Sequence, residues 1–303
     1  MKDGILNVYK DKGYTSHDVV AIVKKITRKK CGHTGTLDPD ATGVLPICLG
    51  RATRLADYIM ADEKEYIADV IFGAETDTQD ASGKVIEKVN FSFSEEQFGV
   101  ALASFIGEYS QIPPMYSAKK QNGKKLYELA RSGAEVVREP RLVHIFHIKV
   151  LEKNLPYRVK IKVRCSKGTY IRTLCSDLGK RLGGFAHMGS LIRTRSGNFN
   201  IENSITIEEI RRLAETGTLD ELVIPMVNAL SFTKATVSEK CEKAMYNGTA
   251  LKIIDVVIDR EPANGETVLM LNNEGVLVGL YEYSQARFKA KAIVYQDPSL
   301  PPS

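Results

Sequence analysis

Residues 157–182 read YRVKIKVRCSKGTYIRTLCSDLGKRL, and the two halves of this stretch keep different periods. In the first half Tyr157, Val159, Ile161, Val163 and Cys165 alternate with Arg158, Lys160, Lys162 and Arg164. A period of two marks a half-buried strand, here with a wholly cationic polar face. After the turn Ser166-Lys167-Gly168-Thr169, the residues Ile171, Leu174, Leu178 and Leu182 recur at helical spacing. Strand and helix therefore follow one another directly, and the rest of the chain mixes them without a regular βαβ alternation. The predicted class is α+β, with no GxGxxG or P-loop to suggest nucleotide chemistry.

Outward from this stretch, residues 64–73 alternate as a second strand, with Tyr66, Ala68, Val70 and Phe72 on one face. Helices are predicted after three caps. Ser16 precedes Val19, Val23 and Ile26; Ser94 precedes Phe98, Ala101, Leu102 and Phe105; and Thr206 with Glu209 forms a capping box before Ile210 and Leu213. A polar turn is expected over Asp77 to Lys84. The segment from Gly32 to Gly50 holds four glycines and two prolines and reads as largely loop. Residues 112–133 form a basic excursion whose second half reads as a short helix ending at Gly133. Near residue 233 the character changes to a short helix between Ser238 and Gly248. Strands follow near 267–271, 276–283 and 288–295, with a hairpin turn at Asn272-Asn273-Glu274-Gly275. The expected organisation is a large unit over 1–230, a small β-rich unit over 233–296, and a disordered tail over 297–303.

With 43% hydrophobic and 26% charged residues, the 303-residue chain has the composition of a globular protein. It has no apolar run of membrane-spanning length and no signal-peptide core at its N-terminus, so a cytoplasmic location is expected. The five cysteines are scattered without a CxxC pair, and the five histidines lack metal-ligand spacing; neither a disulfide framework nor a metal site is expected. The net charge of +5 is compatible with a polyanionic partner and also with many metabolic enzymes.

Few residues stand out for chemistry. Asp38 lies in Gly35-Thr36-Leu37-Asp38-Pro39, where the proline biases it toward an extended conformation. Such a loop can present a rigid carboxylate to a cleft, although local chemistry alone favours a turn-forming Asp-Pro pair. Tyr66 reads as a core tyrosine or as an aromatic platform for a nucleobase. Tyr170 and Arg172 stand at the junction of the cationic strand and its helix, where an anion is favoured and a merely solvated arginine is equally common. Lys119, Lys120, Lys124, Lys125 and Arg131, interleaved with Tyr116 and Tyr127, suit a phosphate backbone as well as a solvated face. Two basic elements flanking a Gly-rich loop tilt the balance toward nucleic acid.

The stretch Gly32-His33-Thr34-Gly35-Thr36-Leu37-Asp38-Pro39-Asp40-Ala41-Thr42-Gly43-Val44-Leu45-Pro46 resembles the bacterial tRNA pseudouridine synthase B (TruB) family. The resemblance continues, in family order across roughly residues 5–230, through Ile112–Ala118, Gly123–Tyr127 and Ser166–Arg172. It implies a mixed-sheet catalytic domain with an RNA-gripping insertion at about 110–145, a small PUA-like domain at the C-terminus, and isomerisation of uridine 55 in the T-loop of tRNA. It also implies Asp38 as the catalytic aspartate, Tyr66 as the tyrosine that stacks on the base and takes part in proton transfer, and Arg172 as the partner of the carboxylate. His33, Tyr170 and Leu191 match positions lining the uridine or holding the loop open. Lys10, Lys119, Lys124 and Lys125 are the expected RNA contacts. The family's usual Lys-Pro is here Lys10-Asp11, so the support of the loop is expected to differ.

The isomerisation changes connectivity only, so no cofactor is expected. An ionised Asp38 can attack C1′ of the ribose or C6 of the uracil, and the sequence does not choose between them. Arg172 is expected to keep the carboxylate ionised, and the uridine to be flipped out of its stack. The expected partner is the T-arm stem-loop of tRNA, with no membrane and no obligate protein partner, and the protein is expected to be a monomer. A non-catalytic RNA-binding or RNA-folding protein on the same scaffold is the alternative. The intact set Asp38, Tyr66 and Arg172 speaks against it.

Overall fold

The computed structural model describes residues 1–60, 63–116, 120–121, 124–125 and 137–295. Its centre is a mixed sheet in the order β1-β3-β12-β4-β11-β10-β7, with β2 added on β3 and β13 on β12. These strands are β1 (Gly4–Lys10), β2 (Cys31–His33), β3 (Thr42–Leu49), β4 (Glu63–Phe72), β7 (Gly107–Gln111), β10 (Arg141–Asn154), β11 (Arg158–Ser166), β12 (Ala186–Ser196) and β13 (Phe199–Asn200). Two small hairpins stand apart: β5 (Ala74–Thr76) with β6 (Val85–Lys88), and β8 (Lys120–Gln121) with β9 (Lys124–Lys125). Every pair in the main sheet is antiparallel except β12 with β3, which run parallel at Ile192 opposite Thr42 and Arg193 opposite Gly43.

Helices α1 (Ser16–Thr27), α3 (Glu95–Ala103), α4 (Ile171–Arg181) and α5 (Ile207–Glu215) contribute to one apolar core with the inner face of this sheet. The first cap differs from expectation. Thr15, not Ser16, accepts from the Asp18 N–H, and Asp18 answers at the Thr15 backbone in a capping box. That releases the buried Ser16 hydroxyl to hold Leu37 instead. Ser94 and Thr206 cap α3 and α5 as expected.

The segment from Gly32 to Gly50 departs most from its reading. It is not largely loop: β2 and β3 occupy most of it, and the loop proper is confined to residues 34–41. Val44, Leu45, Ile47, Cys48 and Leu49 are all fully buried, so β3 is a central strand apolar on both faces, with no alternation to betray it. The cationic strand also requires correction. Arg158 pairs with Asp69 (2.7 Å), Lys160 with Glu152 (2.5 Å), Lys162 with Glu65 (2.9 Å) and Arg164 with Glu63 (2.6 Å). Carboxylates from β4 and β10 therefore neutralise a face that the local sequence presents as purely basic.

The C-terminal part is a β-rich domain. Its sheet runs β15-β19-β18-β17-β14-β16, from β14 (Thr233–Val237), β15 (Leu251–Lys252), β16 (Val256–Ile258), β17 (Thr267–Leu271), β18 (Leu277–Ser284) and β19 (Arg287–Ile293). The hairpin at Asn272–Gly275 turns on Gly275 at φ 77°. Leu269, Leu271, Leu277, Leu280 and Val294 share one apolar cluster with Ile5, Val44 and Cys48 of the main sheet and with Leu55 and Ile59, the latter on α2 (Ala56–Ile59). Among the described residues no helix is long and apolar enough to cross a membrane. The helix expected to end at Gly133 and the tail over 297–303 lie outside the described residues.

Candidate active site

Loop 34–41 is held from every side. Ser16 Oγ accepts from the Leu37 N–H (2.9 Å) and donates to its carbonyl (3.1 Å). The Thr34 N–H donates to the Pro46 carbonyl at 3.1 Å. Lys10 is fully buried, and its ammonium donates to the carbonyls of Pro39 (3.0 Å), Tyr14 (2.7 Å) and Asp11 (3.0 Å). Such pinning leaves the Asp38 carboxyl little freedom, while 40% of its side-chain surface stays open.

Arg172, in the first turn of α4 and only 5% exposed, lays its fork along that carboxyl. Nε reaches Oδ2 at 3.0 Å and Nη2 reaches Oδ1 at 3.4 Å. The remaining donors go to the carbonyls of Tyr116 (2.8 Å) and Thr78 (3.1 Å), and Nη1 lies 3.7 Å from Asp80 Oδ2. Asp80 is itself locked in its turn, where Oδ1 accepts from the Thr78 hydroxyl (2.7 Å) and from Ser82 N–H (3.0 Å) and hydroxyl (2.6 Å). One guanidinium thus joins three chain segments around two carboxylates. Burial raises the Asp38 carboxyl above its ordinary range; Arg172 opposes the rise and Asp80 adds to it. Desolvation is thus the largest influence on the Asp38 carboxyl, and Arg172 acts on it in the direction that favours the ionised form.

Above Asp38 lies a cavity of about 960 Å³, near the upper end of the ~300–1,000 Å³ usual for ligand sites. Asp38, Arg172, Asp80, Tyr116 and Leu191 line it on one side; Lys12, Thr15 and His17 line it from the start of α1. Among the described residues no group of three or more His, Cys, Asp or Glu side chains is placed to hold a metal ion.

Two family models match the chain consecutively. Residues 23–171 match the TruB family pseudouridylate synthase N-terminal domain, and 172–231 match the tRNA pseudouridylate synthase B C-terminal domain. The tRNA pseudouridine synthase B of Clostridium tetani is 48% identical over 290 residues, covering 95% of this chain and 98% of its own. The chain belongs to the TruB family. The synthase of the same name from Alkaliphilus oremlandii is 42% identical, covering 97% of this chain and 99% of its own. Among solved structures, an H/ACA RNP bound to a substrate RNA containing 2′-deoxyuridine aligns at TM-score 0.76 and 26% identity, over 98% of this chain and 87% of that one. A Cbf5-Nop10-Gar1 complex aligns at TM-score 0.76 and 28% identity, over 96% of this chain and 85% of that one.

Within this TruB-family fold the remaining sequence-derived candidates separate. Tyr66 is buried on the inner face of β4, across from Arg193 of β12; it is not among the residues that line the cavity, but the charge of the cavity-lining Asp38 acts on its hydroxyl. Burial raises its hydroxyl above the usual tyrosine value, and Arg193 opposes that rise. His33 is half-buried beside the cavity-lining His17, with ring centroids 5.6 Å apart and nearly perpendicular planes. Its Nδ1 accepts from the Gly35 N–H at 3.2 Å, and burial followed by His17 lowers its proton affinity. Tyr170 is the N-cap residue of α4, and its backbone exchanges two hydrogen bonds with the Gln111 side chain (2.7 and 2.9 Å). Lys10, expected among the RNA contacts, instead faces inward and braces the loop, in place of the support a proline after it would give. Lys124 and Lys125 form β9, paired with β8, and Lys119 lies outside the described residues.

Sequence reading missed Asp80 and Arg193. Each sits in a segment with an ordinary local explanation, a polar turn and a strand, and meets its partner in the site, Arg172 for Asp80 and the Gly35–Thr36 backbone for Arg193, across more than ninety residues of chain.

Proposed function

We propose that this TruB-family protein isomerises uridine 55 to pseudouridine in the T-loop of tRNA, with Asp38 as nucleophile and the uridine flipped out of its stack into the cavity above it. Pseudouridylation of tRNA follows from family membership and from relatives bearing that name across nearly their whole length. The observation that carries the finer reading is the Asp38 carboxyl, gripped by the Arg172 fork yet open to a cavity large enough for a nucleoside.

The reaction breaks the N1–C1′ bond, forms a C5–C1′ bond, removes the proton from C5 and leaves one on N1. An Asp38 carboxylate attacking C1′ or C6 opens that sequence, and the fork keeps its oxygens oriented throughout. Leu191 offers an apolar contact to a base, and Tyr66 a stacking face and a hydroxyl for proton transfer. Residues 1–230 act as the catalytic unit and 233–296 as a PUA-like accessory, working as a monomer without a protein partner.

The test is pseudouridine mapping on a T-arm stem-loop incubated with the purified protein alone. Asp38→Asn binds the stem-loop normally and forms pseudouridine on the order of 10⁴-fold more slowly or not at all. Retained turnover, or modification at another position only, defeats the reading.

A further inference from the structure

Arg193 is among the largest fully buried side chains of the protein, 1% exposed, and its surroundings are unusual for an arginine. Among the described residues no carboxylate lies within ion-pair distance of it. Its donors go to backbone: Nε to the Val44 carbonyl (2.7 Å), Nη2 to Gly35 (3.1 Å) and Nη1 to Thr36 (3.3 Å). It also stands directly opposite Tyr66 across β12 and β4, and its charge opposes the rise that burial imposes on the Tyr66 hydroxyl. A buried cation satisfied by carbonyls alone is expensive to keep, and a hydrophobic residue of similar volume often serves stability as well. What it touches gives it another use: the loop that carries Asp38, three residues before the carboxylate, and the tyrosine whose proton the proposed reaction employs.

We propose that Arg193 is a positioning residue of the isomerisation, holding the Gly35–Thr36 backbone beneath Asp38 and, from its place opposite Tyr66, stabilising negative charge on the phenol oxygen. The inference rests on the proposed roles of Asp38 and Tyr66. Arg193 itself exchanges no proton and touches no substrate. It strengthens Tyr66 as a donor and stabilises the oxygen when that proton has left, while the proton lost from C5 and the one gained at N1 balance over the whole reaction. The geometry supports this coupling, since Tyr66 and Arg193 are direct register partners across β4 and β12. Burial pushes the phenol up, and Arg193 is the largest influence pulling it back.

Single-turnover pseudouridine formation on the T-arm stem-loop tests this. Arg193→Met lowers the rate about 10–100-fold with stem-loop affinity little changed. In the Tyr66→Phe background the same substitution costs only a few-fold, because the group it acts through is gone. Replacing Tyr66 in Arg193→Met by a fluorinated, more acidic tyrosine restores at least part of the loss, which a purely structural role for Arg193 cannot explain. Equal losses in both backgrounds, or no rescue, overturn the proposal. If Arg193→Met does not accumulate as folded protein, Arg193→Lys, which keeps the charge but loses the fork, is taken through the same series with the same two criteria. An active Asp38→Asn would instead refute the underlying reading, so the two failures are distinguishable.

Discussion

At the scale of single residues, the site is a contest between burial and charge over one carboxyl. Desolvation raises Asp38, Asp80 adds to the rise, and Arg172 resists it. If the carboxylate is the active form, activity is full above the folded pKa and is lost as pH falls through it, on an acid limb lying above the ordinary aspartate value of ~3.9. Asp80→Asn removes a raising charge and shifts that limb to lower pH. Arg172→Met removes the lowering charge and shifts it to higher pH, with a large loss in rate because the fork is gone. Profiles of kcat/KM against pH for the three proteins check both signs; shifts in the same direction would contradict this electrostatic account.

At the scale of elements, the site depends on how β3 and β12 meet. Gly43 has φ 103°, and a Cβ there would stand 2.3 Å from the Arg193 carbonyl oxygen. Gly43→Ala is therefore expected to cost more than ~3 kcal/mol, through a left-handed backbone conformation and a clash that only backbone movement relieves. Urea denaturation measures the loss, and a cost below ~1 kcal/mol would mean the strands part easily. Along β12 the register breaks between Met188 and Leu191, where the Asp77–Lys84 turn docks through Met188 N–H to Gln79 O (3.0 Å) and Ala81 N–H to Met188 O (2.8 Å). That docking brings Asp80 to Arg172. Elements with a one-sided environment were legible in the sequence: β4 and β11 through alternation, α3 and α5 through their caps, and the turn at Asn272–Gly275 through its residues. β3 was not, because burial on both faces erases period two and its glycine and proline speak for a loop. Asp38 was legible only through the long pattern around it. The Arg172 fork, Asp80 and Arg193 depend on contacts across the fold, which periodicity does not record.

At the scale of the whole molecule, the C-terminal sheet is joined to the main sheet by apolar packing, so the two are expected to unfold together. Leu280 is fully buried in the shared cluster with Ile5, Val44 and Leu55. Leu280→Ala should cost ~2–5 kcal/mol and lower one common transition followed by far-UV and near-UV circular dichroism. Two separate transitions, with only one shifted, would show the sheets to be independent. The ion pairs along β11 have a consequence for binding as well. A cation already matched by Glu63, Glu65, Asp69 or Glu152 leaves that carboxylate to be neutralised from solution when it turns to a phosphate, so engaging RNA through it releases little net salt. Lys160→Gln and Lys162→Gln should each change the slope of log affinity against log salt by far less than the ~0.7–0.9 of a full phosphate contact. The counterions released from the RNA on binding must then be displaced by cations elsewhere on the protein.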